Sequence, residues 1–253
     1  MRKRSTPKIV VLIPALNEEK SIGRVLDALP RDFQLQIIVA DNGSSDRTAA
    51  VAREHGARVV YEPRRGYGWA CLAAMAEAES WKPDIAVFLD ADYSDYPEDL
   101  HQVVRPILQD EADLVIGSRV LGRREKGALL PQARFGNWLA TRLIQMIWGF
   151  RYTDLGPFRA IRWSALLALD MQDKTYGWTV EMQIKALKQG LRVQEVPVRY
   201  RKRIGKSKVT GTISGTVKAG IVILWTIFRF GMQKAQKRFA PQKPGSPVEF
   251  SPD

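Results

Sequence analysis

Short apolar runs alternate with segments of helical periodicity through the first half of the chain. The runs at residues 8–14, 35–40 and 85–89 are rich in Val, Ile and Ala and hold few polar residues. Runs of this kind are typical of strands covered on both faces. Residues 21–29 carry apolar side chains at helical spacing. The alternation predicts an α/β protein with a mostly parallel central sheet and helices on both faces. Further strands are predicted at 58–62 and 113–117, and further helices at 48–52, 66–79 and 97–108.

The second half of the chain is dominated by helical patterns. Aromatic and aliphatic side chains recur there at helical spacing, which is more typical of core than of a ligand site. The pattern predicts helices at 131–150, 164–169 and 178–189, and then a strand at 192–200.

The last predicted element is a helix at residues 213–230. Its nearly unbroken apolar stretch, 219–228, is about ten residues long. A bilayer-spanning helix needs about twenty apolar residues, so we expect no transmembrane helix. The helix either packs on the domain or lies in a membrane interface with Trp225, Phe228 and Phe230 inserted. The predicted units are a large domain over 1–210, an amphipathic helix over 211–232 and a disordered tail over 233–253.

Two carboxylates, Asp90 and Asp92, follow the apolar run at 85–89. Alternate residues of an extended backbone project the same way, so both can reach one cation. Oxygen ligands suit a hard ion such as Mg²⁺ or Mn²⁺. Polar motifs also follow the predicted strands at Pro14 and Asp41. Because ligands of parallel sheets lie beyond the carboxyl ends of the strands, the sequence predicts a site at this edge.

The net charge of +12 and the pI near 9.9 favour an anionic partner. The chain has no zinc-finger spacing or helix-turn-helix signal, so we do not expect nucleic acid. A single cysteine, Cys71, fits a reducing compartment. The N-terminus has too few apolar residues for a signal peptide. These features predict a cytoplasmic protein that docks at most peripherally on an anionic membrane.

The polar motifs, in their order, resemble those of the GT-A glycosyltransferases of family 2, and within them the polyprenyl-phosphate hexose synthases. The resemblance covers about residues 9–230. It implies a GT-A fold and an inverting, metal-dependent transfer of a hexose to a polyprenyl phosphate. The implied donor is a nucleotide diphosphate sugar of the UDP-glucose or GDP-mannose type. The motifs are 14–19 (PALNEE), 41–48 (DNGSSDRT), 90–98 (DADYSDYPE), 117–119 (GSR), 134–137 (RFGN) and 205–208 (GKSK).

The resemblance also implies roles for individual residues on the donor side. Asp92 is the expected main ligand of Mg²⁺ or Mn²⁺, and Asp90 serves both metal and ribose. Ser94 stands where these synthases often have Gln. We therefore expect donor phosphates and water to complete the coordination, and metal binding to be weak without nucleotide. The expected donor-binding residues are Pro14, Ala15, Asn17, Glu18, Asp41, Gly68, Asp90, Ala91, Asp92, Arg203, Ser207 and Lys208.

On the acceptor side, the resemblance points to Arg119 and Arg134, and arginine is well suited to holding a phosphate. A phosphate acceptor is already anionic, whereas a hydroxyl acceptor would need a general base. Asp154 and Glu181 are the candidates for that base, and the sequence does not rank them. Two alternatives stay open: transfer to a soluble or lipid hydroxyl, and a non-catalytic module that binds through its basic surface.

Overall fold

The computed structural model describes residues 6–205 and 213–239 of the chain. Within them, strands and helices alternate as predicted through the first half. The strands are β1 (Ile9–Ala15), β2 (Leu35–Asp41), β3 (Arg58–Tyr61), β4 (Ile85–Phe88), β5 (Leu114–Ser118), β6 (Arg159–Arg162) and β7 (Val193–Pro197). The helices are α1 (Ile22–Asp27), α2 (Thr48–Glu54), α3 (Tyr67–Glu79), α4 (Leu100–Leu108), α5 (Pro131–Trp148), α6 (Trp163–Leu169), α7 (Trp178–Lys188) and α8 (Ile213–Phe239). A short 3₁₀ turn at Pro97–Asp99 precedes α4.

The described strands form one mixed sheet in the order β3-β2-β1-β4-β6-β5-β7. The pairs β1–β2, β1–β4, β2–β3 and β5–β7 are parallel, and β6 runs antiparallel to both of its neighbours. The prediction of a mostly parallel sheet is confirmed. Strand β6 was not predicted, because four residues with an arginine at each end give no apolar run. Its register places Arg159 beside Phe88 at the carboxyl end of β4.

Both faces of the sheet are covered by helices, as the apolar runs predicted. Along β1, Val10 and Leu12 face one core and Ile9, Val11 and Ile13 face the other. These five side chains are fully buried. Helices α3, α5, α7 and α8 contribute to the first core, and α1, α2 and α4 to the second. Burial on both sides explains why the central strands are apolar rather than alternating.

Helix α5 ends at Trp148, two residues earlier than predicted. Gly149 adopts φ +80 there, and its N–H donates to the Gln145 carbonyl at 2.8 Å. This left-handed conformation is readily available to glycine and closes the last turn of the helix.

Helix α8 is longer than predicted and packs on the domain along one face. Ala219, Ile227 and Phe230 are buried, and the helix contacts α5 and α7. Phe230, expected at a membrane interface together with Trp225 and Phe228, therefore packs in the core instead. It continues to Phe239, past residue 233, where the disordered tail was predicted to begin. Its opposite face is exposed and apolar, with Val217, Ile221, Leu224, Trp225, Phe228 and Met232.

The stretch Gly215–Gln233 of α8 is 19 residues long and apolar enough to cross a membrane, and 22% of it is buried. The estimate of about ten apolar residues stopped at the flanking charges, Lys218 and Arg229. The expectation that no helix reaches spanning length is therefore not confirmed.

Candidate active site

A cleft of about 310 Å³ opens at the carboxyl ends of the parallel strands. Pro14 and Ala15 at the end of β1 and Asp90, Ala91 and Asp92 after β4 line it. The sequence placed a site at this edge, and these motifs do meet there. The other lining residues are Leu16, Glu18, Asn42, Arg65, Gly66, Tyr67, Ala70, Thr175, Tyr176 and Arg203.

The two carboxylates of the Asp90-Ala91-Asp92 motif have different surroundings. Asp90 Oδ1 accepts a hydrogen bond from the Tyr67 hydroxyl at 3.2 Å. Burial and the nearby charge of Asp92 raise the pKa of Asp90 to about 7. Asp92 Oδ1 accepts from the Ser94 amide at 2.8 Å, and Asp92 Oδ2 lies 3.0 Å from Arg203 Nη1. Asp92 is therefore charge-paired, while the raised pKa of Asp90 makes protonation of this carboxylate easier than usual.

The donor atoms at this edge fit a hard divalent ion. Asp90 and Asp92 offer carboxylate oxygens, which Mg²⁺ and Mn²⁺ prefer. Across the described residues, no group of three or more His, Cys, Asp and Glu side chains is placed to hold a metal. Within the part of the chain that the structure describes, a metal bound here would have these two carboxylates as its candidate protein ligands.

Arg203 spans the mouth of the cleft. Its Nη2 donates to Glu18 Oε1 at 2.9 Å, while its Nη1 pairs with Asp92. Glu18 is held in turn, because its Oε2 accepts from the Ser21 hydroxyl at 2.9 Å. One guanidinium thereby joins the loop after β1 to the loop after β4. Ser207 and Lys208, the other predicted residues of this segment, lie outside the described residues.

Hydrogen bonds of Asp41 and Asn17 hold the loop after β2 and join it to the loop after β1. Asp41 is buried, and its Oδ1 accepts from the Ser44 amide at 2.9 Å. Asn17, at φ +52, accepts from the Ser45 amide at 2.8 Å, which ties the first loop to the second. Asp41 and Asn17 are not among the lining residues of the cleft. Asp41 is buried and Asn17 is exposed, and their hydrogen bonds hold the loops that follow β1 and β2.

Asn42 and Tyr67 line the cleft, and sequence reasoning gave neither of them a role. The Asn42 side chain donates to the carbonyls of Glu62 and Arg64 and accepts from the Gly66 amide. It therefore holds the turn that carries Tyr67 toward Asp90. A signal was available, since Asn42 follows Asp41 directly in the second motif.

Gly68 allows a close approach of two backbones and does not itself line the cleft. A Cβ at this position would lie 2.1 Å from the Asp173 carbonyl oxygen. The first turn of α3 is thus pressed against residues 173–174, which brings Thr175 and Tyr176 to the cleft wall. Gly68 would therefore affect a donor indirectly, through the packing of α3 on residues 173–174.

Arg119 and Asp154 form a buried pair beyond β5. Arg119 Nε donates to Asp154 Oδ2 at 2.8 Å and Nη2 to Oδ1 at 2.7 Å, and the Arg119 amide also donates to Oδ2. The Asp154 side chain is fully buried and that of Arg119 is 12% exposed. Both oxygens of Asp154 are engaged by this arginine, which opposes a role as general base.

Arg134 lies in a different cavity, of about 780 Å³, along α5. The groove is rich in arginine, with Arg124, Arg142 and Arg151 beside it and Phe135 and Trp138 at its rim. Arg119 is not among the residues that line this groove. The structure therefore does not bring the two predicted acceptor-side arginines into one cavity.

Glu181 is buried in α7 and is also fully engaged. It pairs with Lys185 at 2.7 Å and accepts from the amides of Gln172 and Asp173. It does not line the cleft. Its contacts fasten the turn before α7 that carries Thr175 and Tyr176.

Comparison with known proteins decides the family. The model of the family described as "Glycosyl transferase family 2" matches residues 10–167. The chain belongs to glycosyl transferase family 2. An uncharacterized glycosyltransferase of Mycobacterium tuberculosis is 39% identical over 221 residues, which cover 87% of this chain and 97% of that protein. A dolichyl-phosphate hexose transferase of Haloferax volcanii is 32% identical over 205 residues, covering 79% of this chain and 86% of that one.

The solved structures give the same fold for this family 2 glycosyltransferase. Glucosyl-3-phosphoglycerate synthase of Mycobacterium tuberculosis, solved with Mn²⁺, UDP and glucosyl-3-phosphoglycerate, superposes with a TM-score of 0.71. The identity is 22%, and the match covers 89% of this chain and 80% of that one. The predicted GT-A fold is confirmed. Membership of a transferase family also decides against the non-catalytic module.

Proposed function

We propose that this glycosyltransferase moves a hexose, with inversion, from a nucleotide diphosphate sugar of the UDP-glucose or GDP-mannose type to a polyprenyl phosphate. The observation that carries the proposal is the contact of Arg203 with Glu18 and Asp92 across the cleft. The guanidinium of Arg203 and the carboxylates of Glu18 and Asp92 therefore lie around the same cleft. A diphosphate accompanied by a divalent cation complements both signs of charge in such a space.

On the donor side, the enzyme must stabilise the negative charge of the departing nucleoside diphosphate. Departure of the nucleoside diphosphate develops charge on its outer phosphate, and Arg203 at the cleft is a cation that would meet it. Asp92 and Asp90 would hold Mg²⁺ or Mn²⁺, which would supply Lewis-acid stabilisation of the same charge. Ser207 and Lys208 are proposed to add further contacts to the diphosphate. Pro14, Ala15 and Asn42 would form the wall against the nucleoside.

The acceptor half favours a nucleophile that is already ionised. The two carboxylates considered as bases, Asp154 and Glu181, are each buried and bonded to a cation. A phosphate monoester acceptor needs no such base, and it needs cations to hold it. We propose that Arg134, in the arginine-lined groove along α5, holds the lipid phosphate. Arg119 pairs with Asp154 and does not line this groove, so any contact of Arg119 with the acceptor would lie outside it. The name of the Haloferax volcanii relative supports the same acceptor class.

We further propose that the enzyme works at the cytoplasmic face of an anionic membrane. The exposed apolar face of α8 carries Trp225 and Phe228, and the chain is strongly basic. Aromatic side chains beside a basic surface are typical of helices that lie in the headgroup region. A polyprenyl phosphate would reach the cleft from that surface.

The experiment that tests the proposal measures nucleotide release from UDP-glucose and from GDP-mannose with Mn²⁺. Undecaprenyl phosphate is added in one arm, undecaprenol in a second, and no acceptor in a third. We expect release only with the phosphate lipid, and none in Asp92→Ala. Release stimulated equally by undecaprenol would support a hydroxyl acceptor instead. Absence of release from both donors with either lipid would overturn the proposal.

A further inference from the structure

In the segment after β7, residues 200–204 lie along the loop that carries Asp92 and are hydrogen-bonded to it. The Arg201 amide donates to the Ser94 carbonyl at 2.9 Å, and the Ile204 amide donates to the Asp92 carbonyl at 3.0 Å. Asp95 and Tyr200 form an antiparallel bridge next to the first of these contacts. The loop that follows β4 is therefore bonded along its length to a segment about 108 positions away.

The Arg201 side chain closes over the same loop. Its Nε donates to the Tyr93 carbonyl at 2.8 Å and its Nη2 to the Asp95 carbonyl at 3.1 Å. The guanidinium also stacks on two rings, with Cζ 3.4 Å from the centroid of Tyr93 and 3.9 Å from that of Tyr96. One planar cation thus meets two carbonyls and two aromatic faces of a four-residue turn.

The turn needs such support because Tyr93 is in a left-handed conformation, at φ +61. Residues with a side chain seldom adopt it unless the surroundings hold them there. The reversal at Tyr93 brings the Ser94 amide back onto Asp92 Oδ1, at 2.8 Å. The orientation of the Asp92 carboxylate therefore depends on the conformation of the residue that Arg201 covers.

We propose that Arg201 is a positioning residue for Asp92. It holds the Tyr93 reversal, and through it the Asp92 carboxylate, in the orientation that a metal-bound diphosphate requires. Arg203 lies two residues later on the same segment. Arg201 therefore helps to position both Asp92 and Arg203, the two charged groups that would contact the donor. The effect on metal and donor rests on the proposed function, whereas the effect on the loop does not.

Arg199 offers a matched control. It is the neighbouring arginine on the same segment, it bonds to a carboxylate, Asp99, and it lies over the Tyr96 ring at 4.4 Å. None of its bonds reaches Tyr93 or the Asp95 carbonyl. Loss of Arg199 removes a comparable set of contacts and leaves the Tyr93 reversal covered.

The first measurement is amide hydrogen exchange of residues 92–95 without any ligand. We expect Arg201→Ala to speed exchange in this stretch about tenfold, and Arg199→Ala to leave it unchanged, in proteins that keep the same thermal midpoint within a few degrees. Equal exchange in Arg201→Ala and the unaltered protein would overturn the proposal. So would an equal increase in Arg199→Ala.

The second measurement is the Mn²⁺ concentration that half-saturates UDP binding and nucleotide release. Arg201→Ala should raise it about tenfold, Arg201→Lys should recover part of the loss, and Arg199→Ala should match the unaltered protein. An unchanged half-saturation in Arg201→Ala would reduce the residue to a structural role and overturn the proposal. If the unaltered protein releases no nucleotide, the proposed function fails, and the exchange comparison still decides the role of Arg201.

Discussion

Arg203 Nη1 lies 3.0 Å from Asp92 Oδ2, although the two residues are more than one hundred positions apart in the chain. The arginine stands where a cation would approach the carboxylate, and it is only 27% exposed. In the absence of donor, the charge of Asp92 is therefore neutralised by the protein itself. A metal ion and this guanidinium would compete for one oxygen until a diphosphate gives the guanidinium another partner.

This competition makes a prediction for Arg203→Gln. Without the arginine, Mn²⁺ should bind the donor-free protein several-fold more tightly, because a like charge has left the site. Turnover should nevertheless fall by about 10²–10³, the usual cost of losing one contact to transition-state charge. Calorimetric titration with Mn²⁺ and a nucleotide-release assay measure the two effects. Arg203→Lys is the control, since it keeps the charge and should leave donor-free Mn²⁺ binding weak. Unchanged turnover in Arg203→Gln would contradict the role given to this residue.

The raised pKa of Asp90 makes metal binding depend on pH. With its pKa at about 7, Asp90 is protonated below that value in the metal-free protein, and an ion must displace the proton to bind. Half-saturating Mn²⁺ should therefore rise about tenfold as the pH falls from about 8 to about 6. Asp90→Asn should bind Mn²⁺ weakly at both pH values, with the steep change removed. A flat profile in the unaltered protein would contradict the combination of a raised pKa and a metal-binding role at Asp90.

The buried pair of Arg119 and Asp154 predicts a large effect on stability. Arg119→Met leaves a fully buried carboxylate without its partner and should cost about 3–5 kcal/mol of unfolding free energy. The double variant Arg119→Met/Asp154→Asn should be less destabilised than Arg119→Met, because no unpaired charge remains buried. Urea unfolding of the unaltered protein and of these two variants gives the comparison. If Arg119→Met kept full stability and lost only affinity for the lipid phosphate, the main role of Arg119 would be acceptor binding rather than stabilisation of the fold.

The exposed face of α8 predicts binding to anionic membranes. The protein should float with vesicles that contain phosphatidylglycerol and stay in the dense fraction with phosphatidylcholine alone. Trp225→Ser/Phe228→Ser should abolish flotation without changing the thermal midpoint, since both side chains are more than half exposed. Lys218→Ala should only weaken flotation, by removing one charge and no apolar surface. Flotation that survives the double aromatic change would exclude this face as the docking surface.

Most of the fold was predictable because its signals are local. Apolar runs mark strands that are buried on both faces, and a periodicity of 3.6 marks the helices between them. Parallel strands place their carboxyl ends at one edge, so the meeting of the Pro14 and Asp90 motifs followed from the element order alone. Strand β6 escaped this reasoning because four residues bounded by Arg159 and Arg162 carry no periodic signal.

The sequence by itself determined the family motifs, most of the strands and helices and the edge where the site lies, since each depends on residues close together in the chain. Only the tertiary structure decided which charges meet: Arg203 with Glu18 and Asp92, and Arg119 with Asp154. It also decided which face of α8 is left exposed. An ion pair depends on where two distant segments cross, and a run of basic residues such as 199–203 gives no sign of which side chains point into a cleft and which hold the loop beside it.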